Sequence, residues 1–399
     1  MKPYYDEGGI TIYHGDCREV LPTLDLLDAV VTDPPYGISF MNKKWDRDTP
    51  DVEYWKIVKA ALLPGAHLLA MGGTRTYHRL ACAIEDAGLE VRDCVMWLYA
   101  MGFPKSLDVG KAIDRAAGVK REMVGKLMAP AKSIYSQGQI EMSQDVDITA
   151  PATDAAKQWN GWGTALKPAT ELICLARKPL SEKTVAANVL KHGTGALNID
   201  ATRIGTDGGT TRSHQAEYPK NTDGTEDRSD HWARTGHKIN QLDKGRWPAN
   251  VLLEDCDEVK GMFPNIGGGP KRDAMTPTTH DGPAKFGYSP ERHQFSVGDS
   301  GSAARFFFCA KTSPSERGKS DHPTMKPVAL MRYLCRLVTP PGGVVLDPFM
   351  GAGSTLVAAQ AESFHAVGIE LEEKYCEIAA NRLSQQVFDF DGGDDVSTR

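Results

Sequence analysis

The chain has 399 residues, of which 41% are hydrophobic and 25% charged, with a formal net charge of −6. That mix belongs to a globular chain with material for one large or two ordinary domains, and it excludes a disordered polymer. The acidic balance excludes a protein that coats nucleic acid by charge alone, while leaving room for a confined basic groove, because net charge averages over the surface.

No apolar run approaches the roughly 18 residues that span a bilayer, and the start, Met1-Lys2-Pro3-Tyr4-Tyr5-Asp6, lacks the apolar stretch of a signal peptide. A cytoplasmic address is therefore expected. The eight cysteines are scattered with no C-x-x-C pair, so reduced thiols are expected. Cys256 and Cys309 with nearby histidines lack zinc-ligand spacing, and no metal site is expected.

In chain order, residues 9–13 read as a strand, and the apolar run at 28–32 as a buried strand ending at Asp33. Residues 52–63 are amphipathic and helical, closed by Pro64-Gly65; 67–71 form a buried strand stopped by Gly72-Gly73. A helix over 76–87, ended by Gly88, and a strand over 91–98 follow, then a strand at 172–175. Strand and helix alternating in this way predict an α/β fold with a mostly parallel sheet covered on both faces.

From about 181 to 320 the texture changes to Gly, Pro, Asp, Thr and Arg with few periodic segments; 249–253 and 305–309 are strand-like islands. After residue 321 the α/β texture returns, with helices at Val328–Val338 and Ser354–Ala361, strands at 344–346 and 366–369, and a helix over 372–385. The acidic, Gly-rich residues 389–399 are expected to fray.

Asp347-Pro348-Phe349-Met350-Gly351-Ala352-Gly353-Ser354-Thr355 is a strand end running into a glycine turn and a helix. In that context Gly351 and Gly353 allow the backbone close to a ligand, and the helix N-terminus favours an anionic group. Glu370, ending the next strand, is placed to accept from two ribose hydroxyls. Leu356 stands where a dinucleotide fingerprint has its third glycine, so a nucleoside without a pyrophosphate fits better than a nicotinamide cofactor.

Asp33-Pro34-Pro35-Tyr36-Gly37 is the second motif. Each proline pushes the residue before it out of the helical region, so Asp33 and Pro34 are held extended. The Asp33 carboxylate, the Pro34 carbonyl and the Tyr36 ring can then converge on one small volume. An exocyclic amino nitrogen is a poor nucleophile because its lone pair is delocalised into the ring. Two acceptors binding its hydrogens favour the pyramidal form that attacks a methyl sulfonium, and Tyr36 can stack on a base flipped from its helix.

Together the two motifs resemble those of the DNA amino-methyltransferases, whose signature is (Asp/Asn/Ser)-Pro-Pro-(Tyr/Phe). The order of Asp33-Pro34-Pro35-Tyr36 early and Asp347-Pro348-Phe349-Met350-Gly351 late is similar to that of the circularly permuted β-type group. The resemblance implies a Rossmann-like methyltransferase sheet, S-adenosylmethionine as cofactor and double-stranded DNA as substrate. It implies Asp33, Pro34, Pro35 and Tyr36 as catalytic residues. It implies cofactor contacts from Asp16, Cys17, Asp33, Thr324, Lys326, Pro327, Asp347, Pro348, Phe349, Gly351, Gly353, Ser354, Thr355 and Glu370. Asp16 of His14-Gly15-Asp16-Cys17 matches the acid that contacts the cofactor's adenine amino group; His322-Pro323-Thr324-Met325-Lys326-Pro327 matches the segment that holds its methionine part.

The resemblance further implies catalytic residues 1–180, a target-recognition region at 181–320 and a cofactor half at 321–388. In the middle region Arg203, Arg212, Arg228, Arg234, Lys238, Lys244 and Arg246 lie among Tyr218, Trp232 and Trp247, suited to phosphates and base edges, with acidic residues interleaved. Trp159 and Trp162 either line a base pocket or pack in the core. No Pro-Cys occurs, which disfavours carbon-5 cytosine chemistry. Within the family an aspartate in first place implies adenine N6, with cytosine N4 the alternative. An RNA methyltransferase and a catalytically silent DNA-binding module are the rivals from other classes. A restriction endonuclease partner and a homodimer stay open.

Overall fold

A computed structural model describes residues 1–38, 46–100, 102, 106–128, 145–205, 211–215, 238–242, 245–266, 301–310 and 325–389. Ten strands build the main sheet: β1 (Tyr5–Glu7), β2 (Ile10–His14), β3 (Leu27–Thr32), β4 (Leu62–Gly72), β5 (Glu90–Leu98), β6 (Thr170–Arg177), β7 (Val251–Glu254), β8 (Phe308–Ala310), β9 (Val344–Asp347) and β10 (His365–Glu370). Their spatial order is β1-β2-β10-β9-β3-β4-β6-β5-β7-β8. The two strands from the C-terminal part, β9 and β10, thus lie between β2 and β3 from the N-terminal part. Strands β2, β10, β9, β3 and β4 run parallel in sequence of contact. β6 is antiparallel to β4 and β5, and the edge strand β1 to β2. The expectation of a mostly parallel sheet is met.

Ten α-helices accompany it among the described residues: α1 (Cys17–Val20), α2 (Val52–Ala60), α3 (Tyr77–Asp86), α4 (Val109–Ala116), α5 (Asp154–Gln158), α6 (Val185–His192), α7 (Asp257–Gly261), α8 (Val328–Val338), α9 (Ser354–Ala361) and α10 (Glu373–Asp389). Period-two alternation in each central strand sends neighbouring residues to opposite faces. Ala29, Val31, Leu69, Met71, Ile173 and Leu175 pack with Leu330, Met331 and Leu334 of α8, Leu356 of α9 and Cys376 of α10. Val30, Leu68, Ala70, Cys174 and Ala176 pack on the other face with Trp55 and Val58 of α2 and Leu80 and Ile84 of α3. Both faces are therefore dry, which is why these strands read as continuous apolar runs.

Local chemistry sets several helix ends. Asp51, Asp108, Thr153 and Thr184 accept backbone N–H groups at the starts of α2, α4, α5 and α6, and Gly193 closes α6 in the left-handed region. The first of the expected helices is shorter than 52–63: α2 stops at Ala60, because Leu62 already pairs with Leu27 at the start of β4. The expected strand at 305–309 is also corrected. Ser302 caps a 3-10 turn over Ala303–Phe306, and only Phe308–Ala310 pairs as a strand. The last helix runs to Asp389, beyond the expected 385, and residues 390–399 lie outside the described residues.

The 181–320 stretch is not wholly apart from the main sheet. It contributes β7 and β8 at one end, and α6 is tied to β4 where Asn188 donates to the Pro64 carbonyl at 2.8 Å. Arg203, Arg246 and Trp247 fall in the described part, with the Arg203 guanidinium 5.2 Å from the Trp247 ring. Tyr218, Arg228, Trp232, Arg234 and Lys244 lie outside the described residues. Among the described residues no helix is long and apolar enough to cross a membrane.

Candidate active site

The parallel register sets the carboxyl ends of β3, β9 and β10 side by side, the edge at which open α/β sheets bind ligands. Asp347, ending β9, is buried and serves as the joint between two of these ends. It accepts from the Thr32 hydroxyl of β3 at 2.7 Å, from the Thr355 hydroxyl of α9 at 2.5 Å and from the Phe349 N–H at 3.1 Å. Burial pushes its carboxyl up to about 7 even against these three donors.

The glycine loop turns immediately above. Gly351, at φ +50°, donates its N–H to Glu370 Oε2 at 2.9 Å, and Glu372 donates to Glu370 Oε1 at 2.9 Å. Glu370 is thus aimed by the backbone, and each carboxylate oxygen keeps a further lone pair for a ligand hydroxyl. Burial raises its carboxyl above the ordinary range. Gly353 has a reason beyond ligand access: it sits at φ +76°, and a Cβ there would stand 2.8 Å from Ala379 Cβ of α10.

At the end of β3 the Asp-Pro-Pro-Tyr turn is fixed from outside itself. Asp46 accepts the Tyr36 N–H at 2.6 Å and the Gly37 N–H at 3.0 Å, and the Thr76 hydroxyl donates to the Tyr36 carbonyl at 2.6 Å. The Tyr36 hydroxyl donates to Asp33 Oδ1 at 2.8 Å, and Glu171 Oε2 of β6 lies 3.3 Å from the same hydroxyl. Lys326 completes the cluster. Its ammonium stands 2.7 Å from Asp33 Oδ2, 3.3 Å from Glu171 Oε2 and 3.1 Å from the Tyr36 hydroxyl, and lies 5.3 Å from the Tyr36 ring centre. Burial works against the ammonium, but Asp33 and Glu171 hold it charged well above the usual lysine range. Burial likewise raises the Glu171 carboxyl, with Lys326 opposing, and keeps Tyr36 a neutral phenol.

One cleft of about 1900 Å³ joins these parts. Of the residues expected from sequence, Asp16, Cys17, Asp33, Pro34, Pro35, Tyr36, Lys326, Asp347, Pro348, Phe349, Gly351, Ser354, Thr355 and Glu370 line it. Pro327 caps α8 and Gly353 caps α9, both off the lining, and Thr324 lies outside the described residues. Lys326, expected beside the methionine part of a cofactor, lines the cleft and donates to Asp33. Asp16 caps α1 and is engaged by the Arg18 side chain, whose hydrogen bond lowers the carboxyl's pKa.

Sequence reasoning missed Glu171, Asp46, Thr76 and Tyr54. Glu171 had a signal, an acid heading an otherwise apolar strand; Tyr54 had none. The Tyr54 ring lies 4.9 Å from Phe349 at a 31° tilt on the cleft wall, with its hydroxyl buried beside Cys17. An aromatic wall, the aimed Glu370 and the open glycine turn fit a nucleoside-bearing cofactor. Among the described residues no group of three or more His, Cys, Asp and Glu could hold a metal ion.

A family model described as DNA methylase matches residues 27–381. Over 77 residues the chain is 39% identical to the Type II methyltransferase M.ScaI of Streptomyces caespitosus, covering 19% of this chain and 25% of that protein. Over 66 residues it is 46% identical to the Type II methyltransferase M.BglI of Bacillus subtilis, covering 16% and 19%. The matched segments thus span a quarter or less of these curated relatives. Among solved structures, M1.HpyAVI is similar with a TM-score of 0.40 at 16% identity, covering 94% of this chain and 98% of that one.

Proposed function

The chain belongs to the DNA methylase family, and from that membership we propose that it transfers a methyl group from S-adenosylmethionine to the exocyclic amino group of a DNA base, adenine at N6. The observation that carries the reading is the single cleft in which the Asp33–Tyr36 cluster faces the Asp347–Glu370 cofactor edge. A DNA-binding module without chemistry would have no use for a lysine, two carboxylates and a phenol buried together at the end of a strand.

Glu370, Gly351, Phe349, Tyr54 and the Asp16–Cys17 segment would hold the cofactor, and Asp347 would fix the loop that carries it. When bound, S-adenosylmethionine supplies an electrophilic methyl group on a cationic sulfur. The Asp33 carboxylate and the Pro34 carbonyl accept hydrogen bonds from the two N–H groups of the target amine and draw its nitrogen toward a pyramidal geometry, and Asp33 takes the one proton that the methylated amine releases. Tyr36 holds Asp33 through its hydroxyl, and because Lys326 meets Tyr36 at that hydroxyl end, the ring can stack on the base. Trp97, Tyr99 and Lys167 line the same cleft beside this cluster.

The same reading includes a permuted chain order, supported by β9 and β10 lying between β2 and β3. It assigns 1–180 and 321–388 to the two halves of the catalytic unit and 181–320 to target recognition on double-stranded DNA, whether or not a restriction endonuclease shares the target. Cytosine N4 is the second reading, because Asp33 and Pro34 would bind either amine. Single-molecule sequencing of initially unmethylated plasmid DNA treated with the protein and S-adenosylmethionine tests it. Modified adenine at a short recurring site is the expected result; modified cytosine would replace the base, and unmodified DNA would overturn the activity.

A further inference from the structure

The hydrogen-bonded cluster at Asp33 contains two carboxylates and one ammonium. Asp33 and Glu171 both contact Lys326, at 2.7 and 3.3 Å, and the side chains of Lys326, Glu171 and Asp33 are 8%, 18% and 22% exposed. With both carboxylates ionised, as contact with Lys326 favours, the cluster carries one negative charge in excess, held largely away from water. Burying a second carboxylate is costly, and burial raises Glu171 accordingly. Holding Lys326 and Tyr36 in place does not require that charge. A glutamine in the same position would offer its carbonyl oxygen to both donors without it. Tyr36 is moreover held more closely by Asp33, at 2.8 Å, than by Glu171, at 3.3 Å.

Glu171 enters from β6, the antiparallel strand, directly opposite Trp97 of β5, and both residues line the cleft. Resting on the methyl-transfer reading above, we propose that Glu171 is a positioning residue that sets the charge of this pocket. By sharing Lys326 it keeps that ammonium from neutralising Asp33, and the surplus negative charge favours a cationic methyl donor over its neutral thioether product. The positive charge on the donor sulfur passes to the target amine in the transfer, so a net-negative, water-poor surrounding favours the charge along its whole path. Fixed charges in such a site need no reorganisation when that charge moves.

Titration calorimetry of the full chain with S-adenosylmethionine and, separately, with S-adenosylhomocysteine tests this without depending on turnover. In Glu171→Gln the affinity for S-adenosylmethionine is expected to fall about tenfold, and that for S-adenosylhomocysteine to stay within about twofold. Glu171→Asp should recover most of the difference, since it restores the charge. An unchanged preference between the two ligands in Glu171→Gln, or an equal loss of both, overturns the inference while leaving the cofactor reading standing. A wild-type chain that binds neither ligand overturns the cofactor reading itself, and the inference with it.

Discussion

The Thr32 hydroxyl donates to Asp347 across 2.7 Å, joining two residues 315 positions apart in the chain. One ends the strand that leads into Asp-Pro-Pro-Tyr; the other ends the strand that leads into the glycine loop. The distance between the acceptor side and the donor side of the proposed reaction is set by this contact and the β3–β9 pairing around it. Asp347 is the rigid element, since its second oxygen is already engaged by Thr355.

Thr32→Val keeps the shape of the side chain and removes that donor. Leaving a buried carboxylate short of a hydrogen bond costs about 1–3 kcal/mol. Urea denaturation should therefore show a lower midpoint with an unchanged slope. Stability equal to wild type would mean that the β3–β9 pairing alone holds the joint.

Asp33→Ala should abolish methyl transfer while S-adenosylmethionine binding is retained, weakened by about the same tenfold factor as in Glu171→Gln because either change removes the surplus charge of the cluster. The target amine loses its anionic acceptor, while the Glu370 side of the cleft is untouched. Equilibrium binding and radiolabel transfer measured on the same preparation separate the two properties. Loss of binding along with transfer would make Asp33 chiefly a cofactor ligand.

Asp46→Ala releases the Tyr36 and Gly37 N–H groups, which Asp46 holds at 2.6 and 3.0 Å. The turn should then lose its fixed aim, and small misplacements of reacting groups cost on the order of 100-fold in rate. The expected signature is a large fall in the single-turnover rate with cofactor affinity little changed. A rate within twofold of wild type would show that the two prolines suffice to hold the turn.

His67 governs part of the pH dependence of stability. It is buried in β4, and burial, aided by the charges of Arg177 and Arg92, lowers its pKa to about 4. An unfolded histidine protonates near 6.5, so the unfolded chain takes up a proton that the folded chain refuses. Stability from this group is present above pH 6.5 and is lost as pH falls from about 6.5 to about 4, by roughly 3 kcal/mol at most. Asp347 works in the opposite sense: its raised carboxyl contributes stability that is lost as pH rises from its unfolded value toward about 7. Comparing wild type with His67→Gln cancels that second effect. The loss of stability between pH 6.5 and 4 should be smaller in the variant, by denaturant titration at each pH; equal pH dependence in both chains would exclude His67 as the cause.

Much of the architecture was legible from residue order. Asp33 to Tyr36 and Asp347 to Thr355 could be assigned to strand ends because their effects are local: proline restricts the residue before it, and glycine opens the left-handed region within one turn. Apolar runs such as 28–32 declared a buried strand for the same reason. The errors also have local causes. Phe306 and Phe307 look strand-like by composition, but the Ser302 cap commits Ala303–Phe306 to a turn. Leu62 and Leu63 continue a helical pattern, but pairing with Leu27 draws them into β4.

What the sequence by itself determined, then, is where two chemical motifs sit and which backbone each requires. The Thr32–Asp347 joint between them was decided only by the tertiary structure, as were the approach of Lys326 to Asp33 from 293 positions away and of Glu171 to Tyr36 from 135. The physical reason is that such contacts follow from strand order and register in the folded sheet. No periodicity or spacing along the chain records which distant side chains those pairings bring within hydrogen-bond reach.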